Sequence, residues 1–262
     1  MLIYHNNVIW NSGVNVTASS ESELLPATNL FLEQRGAIWR SGTSTADEYL
    51  VWDLGSASLV QNLILSDYAG AWSSATVKIQ GNASDSWGAP SFDETITASK
   101  FAFNLPVLHE LTGTPSYRYW WLSITKNASG DELDLGHAFL ANAETNLSEK
   151  PDADGVEIGY DDLSTESRSR GGQSFSDQKE RALRFKLPFT DVTTTKGSIE
   201  GLVASGVTKR PFWVDILGAV SGDNDLTKLH YVRHGDLPTV SVTGYTGSAF
   251  IYDLELDLIE NL

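Results

Sequence analysis

The sequence predicts a mainly β chain of two domains, on three observations. Short segments alternate apolar and polar residues with a period of two. Stretches with helical spacing are few and short. A polar, acidic, proline-containing break separates two strand-rich halves.

Along the chain, the stretch "LPATNLFLEQRGAIWRSGTSTADEYLVWDLG", residues 25–55, comes first. Pro26 fixes φ and Asn29 can bond its own backbone, so "PATNL" reads as a turn. Trp39 stands before a Ser/Thr/Gly loop, where an aromatic ring needs something to dock onto. "EYLVWDLG" reads as a strand. Asp53 can accept the N–H groups of the turn that ends it, and Gly55 allows a positive φ there. "ATVKIQG" puts Ala75, Val77 and Ile79 on one face and Thr76, Lys78 and Gln80 on the other. "RYWWLSITK" points Trp120, Leu122 and Ile124 towards a core.

The segment "NAETNLSEKPDADG", residues 142–155, is the linker signal. It predicts domains over 1–145 and 155–262, joined by residues 146–154. Beyond it, "FSDQKERALRF" reads as one helical turn capped by Ser176 and then extended chain. "LRFKLPF" turns Leu183, Phe185, Leu187 and Phe189 inward and Arg184 and Lys186 outward. "TTTKGSIEGLVASG" has Ser198, Ile199, Leu202 and Val203 at helical spacing, with Gly206 as a C-terminal cap. "FIYDLELDLI" sets Phe250, Tyr252, Leu254, Leu256 and Leu258 against Asp253, Glu255 and Asp257.

Composition excludes several classes. The chain has 262 residues, enough to bury one or two cores, and 41% are apolar, a globular proportion. Its 34 acidic and 18 basic residues give a net charge of −16, which repels phosphate backbones, so no nucleic-acid partner is expected. There is no cysteine, so disulfides and thiolate metal sites are ruled out. "MLIYHNNVIWNSG" shows neither a basic nor a continuous apolar signal region, and no run is apolar enough for a membrane span. No nucleophile elbow, P-loop or dinucleotide fingerprint is present. Carboxylates such as Asp131 and Asp134 are what an acidic chain offers by chance. "DADGVEIGYDD", with Asp152, Asp154, Glu157, Asp161 and Asp162, lacks EF-hand order. His230 and His234 stand on a strand, too far apart to share a metal. No metal, no cofactor and no enzymatic activity are therefore expected.

The ordered set "SSESELLPATNLF", "WRS", "YLVWDLGSASLVQNLILS", "SSATVKIQGNAS" and "YRYWWLSI" resembles the discoidin, or F5/8 type C, family. The matching residues are Ala27, Leu30, Trp39, Ser41, Trp52, Asp53, Leu54, Gly55, Val77, Ile79, Arg118 and Tyr119. The resemblance covers about the first 145 residues and implies a jelly-roll β-sandwich of the galactose-binding-like fold. The second domain is then β-rich with one or two short helices. The family's calcium-binding Asp-Gly is replaced here by Leu32-Glu33-Gln34. Without a signal peptide, the pattern also resembles tail proteins of tailed bacteriophages. That resemblance implies a minor tail or tail-tip protein, folded in the host cytoplasm and carried on the virion. It would assemble as a symmetric homo-oligomer with other tail proteins and touch host-surface glycans. The alternatives are a soluble lectin-like module and a carbohydrate-active enzyme.

Two sets of residues carry these functional readings. Galactose-binding-like modules hold sugars on loop aromatics at one end of the sandwich, which points to Tyr68, Trp72, Trp87 and His109. The competing reading has these residues packed over the sandwich ends. Arg168, Arg170, Arg184 and Lys186 belong to a basic cluster, and the outward Arg184 and Lys186 complement the outward Asp253, Glu255 and Asp257. Their segments either pair as neighbouring strands or meet across a subunit boundary.

Overall fold

The computed structural model describes residues 1–34, 36–42, 47–101, 105–126, 132–147, 151–152, 155–162, 165–168, 174–177, 181–192, 197–198, 210–216, 229–235, 239–245 and 250–261. The chain forms two compact units, Tyr4–Glu144 and Met1–Ile3 with Thr145–Leu262. The expected mainly β architecture is the one observed.

In the first unit, strands β1 (Leu2–Asn7), β2 (Asn15–Ala18), β3 (Trp39–Arg40), β4 (Glu48–Leu59) and β5 (Asn62–Ala69) come first in sequence. They are followed by β6 (Thr76–Asn82), β7 (Phe92–Ile96), β8 (Val107–Glu110), β9 (Ser116–Thr125) and β10 (Asp134–Asn146). One antiparallel sheet has the order β2-β4-β9-β6-β7. The other sets β10 beside β5 and β5 beside β8, with β3 along β10. The alternation read from the sequence selects the inner face. Leu50, Trp52, Val77, Ile79, Trp120, Leu122 and Ile124 leave the five-stranded sheet and meet Leu63, Leu65, Ala138 and Leu140 of the other in one core. This is a β-sandwich of two antiparallel sheets.

The opening stretch acts as a staple on this sandwich. "ATNLF" is a short 3₁₀ turn entered through Pro26, and Glu21 Oε2 accepts the Ala27 N–H at 2.8 Å. Trp39 does find its dock: it is fully buried, and its Nε1 donates to Ser20 O at 3.2 Å. Arg40 grips Asp134 through two bonds of 2.7 and 2.8 Å. Ser41 N donates to Leu133 O, while Leu133 N donates to Ser41 Oγ, both at 2.9 Å. Asp53 Oδ1 accepts the Gly55 N–H at 2.8 Å, with Gly55 at φ +74°, and the same carboxylate receives Arg118 at 2.7 and 2.8 Å.

In the second unit, β11 (Glu157–Asp162), β12 (Thr165–Arg168), β13 (Ser174–Asp177), β14 (Arg181–Val192), β15 (Phe212–Asp215), β16 (Leu229–His234), β17 (Thr239–Tyr245) and β18 (Phe250–Glu260) are all strands. The sheet order is β11-β14-β18-β16-β15, with β17 also on β18, and β12 and β13 form a separate hairpin. Phe185, Leu187, Phe189, Leu254, Leu256 and Leu258 lie in its core with Phe212, Val214, Met1 and Ile3.

Two sequence readings change here. Ser176 caps no helical turn; it pairs with Glu166 in the β12–β13 ladder, where cross-strand bonding overrides local helix preference. Within the stretch read as a linker, β10 continues to Asn146, and Leu147 is buried and exchanges backbone bonds with Met1. The helix read over Ser198–Val203 lies, beyond residue 198, outside the described residues.

Candidate functional site

The residues read as a sugar site do not converge. Tyr68 is the penultimate residue of β5 and Trp72 opens the 3₁₀ turn Trp72–Ser74 that follows it. They are only 5% and 1% exposed, so neither ring can offer a face to a ligand. Trp72 Nε1 donates to Ala69 O and Asp134 O, both at 3.0 Å, and Tyr68 Oη donates to Leu105 O at 2.8 Å. Phe101 stacks on Trp72 at 5.5 Å and meets Tyr68 edge-on at 5.3 Å. These three rings are core: they close one end of the sandwich.

His109 is a strand residue of β8. Its Nε2 lies 3.0 Å from Glu94 Oε2 of β7, and Glu94 Oε1 accepts the Thr112 N–H at 2.9 Å and the Thr112 hydroxyl. β8 and β7 are the outer strands of the two sheets, so this cluster clasps one margin of the sandwich.

Trp87 has a different setting. It lies half-buried in the β6–β7 loop, where Asp85 Oδ1 accepts its Nε1 at 2.8 Å. Asn82 organises that loop: its Nδ2 donates to Ser86 O at 2.6 Å, and its Oδ1 accepts Ala83 N and Ser91 Oγ at 2.9 and 3.1 Å. The Trp87 ring meets Trp121 at 4.7 Å, and Trp121 meets Tyr49 at 5.3 Å. Trp121 is flanked in register by Val51 of β4 and Gln80 of β6, and Tyr49 lies opposite Ser123. All these positions alternate with Trp120, Leu122, Leu50 and Ile79, which are buried. Trp87, Trp121 and Tyr49 therefore form a continuous aromatic strip on the outer face of the five-stranded sheet.

Polar groups border the strip. Lys78 Nζ bonds Asp93 Oδ2 at 3.0 Å beside Gln80, and Tyr119, under the Arg118 guanidinium at 4.8 Å, lies two residues from Trp121 along β9. Arrangements of this type bind ligands that have both apolar C–H faces and hydroxyl edges: rings cover the first and side-chain bonds take the second. Sequence reading missed Trp121 and Tyr49. The signal was present, because the alternation that turns Trp120 inward turns Trp121 outward.

Arg184 and Lys186 of the charged set find acidic partners within the chain. β14 and β18 are neighbours in one sheet, with Lys186 opposite Asp257. Arg184 forms two bonds to the Asp257 carboxylate and reaches Asp161 at 3.4 Å, and Lys186 lies 3.5 Å from Glu157. Asp253 Oδ1 accepts the Asp191 N–H at 3.2 Å, and Glu255 is exposed opposite Pro188. Arg168 stands on β12 opposite Ser174, and Arg170 lies outside the described residues.

Burial holds His5, His109 and His234 below the ordinary histidine range. At His109, Lys100 adds to burial and Glu94 opposes it; at His234 the opposing charge is Asp257. An unfolded histidine takes up a proton near pH ~6.5 while these folded ones do not, so stability is lost as pH falls from there through the lower folded values. Two carboxylates respond further down. The Arg118 bond holds Asp53 below its usual range, and at Glu94 the bonds from Thr112 and His109 outweigh a burial that would raise it. Their contribution is present above pH ~4 and lost below it. The expected outcome is a melting temperature that is level above pH ~7 and falls in two stages on acidification. A melting curve that does not change between pH 7 and 5 contradicts the first stage.

No protein-family model matches the sequence, and no curated protein does. Solved structures similar to part of the chain include carbohydrate-binding modules and a Ruminococcus gnavus GH29 fucosidase. Chitosan-binding module 1 of a chitosanase/glucanase from Paenibacillus sp. IK-5 is 19% identical, with a TM-score of 0.41, over 52% of this chain and 98% of the module. The lectin domain of lectinolysin, solved with Lewis B antigen, is 12% identical, with a TM-score of 0.42, over 53% and 99%. A Streptococcus pneumoniae fucose-binding module is 10% identical, with a TM-score of 0.42, over 53% and 96%. The sugars in these names belong to those proteins.

Proposed function

We propose that the chain is a non-enzymatic carbohydrate-binding protein whose ligand lies along Trp87, Trp121 and Tyr49. The observation that carries this is the aromatic strip itself: three rings in contact on an outer sheet face, bordered by Lys78 and Asp93. A pyranose ring packs its C–H face on such rings, and its hydroxyls bond the polar border. The bonds of Asn82 and Asp85 hold the Trp87 loop in place before any ligand arrives, which lowers the ordering cost of binding.

Glycan-array screening followed by titration tests this reading. Trp121→Ala is expected to weaken binding by roughly 30-fold or more, the usual effect of truncating a central tryptophan. Its melting temperature should stay near that of the parent chain, because the side chain lies outside the core. Equal affinity in Trp121→Ala and the parent, or turnover of the bound glycan, overturns the proposal. The finer reading is a structural component of a phage tail, displayed on the virion, that touches host-surface glycans through this strip. It rests on the resemblance of the first half to phage tail proteins, and the genes flanking this one test it.

A further inference from the structure

We infer that the ligand of the aromatic strip is a saccharide free of carboxylate, sulfate and phosphate groups, and that Asp93 is the residue that sets this choice. The inference rests on the carbohydrate reading of the strip and names the class of ligand within it. Among the described residues, two cations stand near the rings, Lys78 of β6 and Arg118 of β9, and each is already engaged. Lys78 Nζ donates to Asp93 Oδ2 at 3.0 Å, and Arg118 gives two bonds of 2.7 and 2.8 Å to the Asp53 carboxylate. Asp85 adds a further carboxylate beside the first ring, since its Oδ1 accepts Trp87 Nε1 at 2.8 Å.

The register places Asp93 relative to the strip. Trp121 of β9 stands opposite Gln80 of β6, and Gln80 stands opposite Asp93 of β7. Lys78 lies two residues from Gln80 along β6, hence on the same face, and reaches diagonally to Asp93. Both side chains of this pair are 37% exposed, so a ligand resting on Trp121 can meet them.

An acidic sugar on these rings needs a cationic donor for its anionic group, as carboxylates, sulfates and phosphates are ordinarily held by Arg or Lys. To recruit Lys78 it must part the ammonium from Asp93, and it then faces that carboxylate with its own charge. One exposed ion pair replaces another of the same small strength, so nothing offsets the added repulsion. The other described cations of the first unit are no substitute: Arg40 engages Asp134, Lys126 lies against Glu48, and Lys100 donates to Leu108 O. The net charge of −16 opposes an anion at longer range as well. A hydroxyl suffers none of these costs. An ammonium has three donors and a carboxylate several lone pairs, so Lys78 and Asp93 can stay bonded to each other and still take a hydroxyl.

A glycan array that holds hexose oligosaccharides beside their hexuronic and sulfated counterparts, followed by titration of the best hexose ligand and its hexuronic form, tests the inference. The parent chain is expected to bind the hexose form about tenfold or more tightly than the hexuronic form. Asp93→Asn leaves Lys78 without its counter-charge. It is expected to keep the hexose affinity and to strengthen hexuronic binding about fivefold, the upper range for one exposed pair, with the gain shrinking as salt is raised. The double variant Asp93→Asn with Lys78→Met should lose that gain. A parent chain that binds the hexuronic form as tightly as the hexose form, or an Asp93→Asn chain with unchanged circular dichroism and no gain, overturns the charge selection. If the acidic sugar bound by the parent is lost in Trp121→Ala, the carbohydrate reading stands and only the charge selection falls; if no saccharide of either kind binds, both fall.

Discussion

Trp72→Ala is expected to destabilise the chain by about 3–5 kcal/mol, the range for removing a fully buried large aromatic side chain. The ring is 1% exposed, stacks on Phe101 and abuts Tyr68. Its loss opens a cavity at the end of the sandwich and deprives Ala69 O and Asp134 O of a donor. Gly70, two residues earlier, leaves no room for a compensating shift: it sits at φ +96°, and a Cβ there would come within 2.3 Å of Glu132 O. Urea unfolding followed by circular dichroism measures the loss, and glycan affinity of the folded fraction should be unchanged. A variant that kept its stability and lost only glycan binding would move Trp72 out of the core and into the site.

That prediction marks where the sequence was readable and where it was not. Alternation identified β6, β9, β14 and β18, because each has one face on a core: Val77 and Ile79, Trp120 and Leu122, Phe185 and Leu187, Leu254 and Leu256 are all buried. Alternation fails in β10, "DLGHAFLANAETN", where Leu135 to Ala141 are buried on both faces, and in the apolar run "NLIL" of β5. The aromatic site failed for a different reason. Trp72 and Trp87 both stand in Gly- and Ser-rich sequence, but one follows β5 into a 3₁₀ turn under the sandwich end, and the other lies in a β6–β7 loop laid over a sheet face. Local composition is alike in the two places, and only the path of the chain separates them. Tyr49 and Trp121 belong to β4 and β9, 72 positions apart in sequence, and the register that brings them together is a property of the folded sheet. On the second unit, the complementarity of Arg184 with β18 was legible, but Asp257, read as outward, meets Arg184 from a buried position, and Lys186 finds Glu157 of β11.

Glu48 is the site of the other large effect. It begins β4 with its side chain wholly buried, and Lys126 Nζ, 2% exposed at the side chain, lies 3.7 Å from Glu48 Oε1. Ser19 Oγ and Ser20 Oγ both donate to Glu48 Oε2, the second at 2.7 Å. Two hydroxyls and an ammonium thus hold one carboxylate, tying the segment after β2 to the ends of β4 and β9. Glu48→Ala removes the carboxylate beside a desolvated ammonium and takes an acceptor from both hydroxyls, an expected loss of about 3–5 kcal/mol. Lys126→Met should cost a comparable amount, because it leaves the carboxylate buried. The double variant Glu48→Ala with Lys126→Met removes both charges, and its loss should be smaller than the sum of the two single losses by more than about 1 kcal/mol. The reason is that a buried pair contributes through the penalty each charge suffers alone more than through the attraction between them. Additive losses across the cycle in urea unfolding would show that the two groups do not interact, and that Glu48 is held by Ser19 and Ser20 instead.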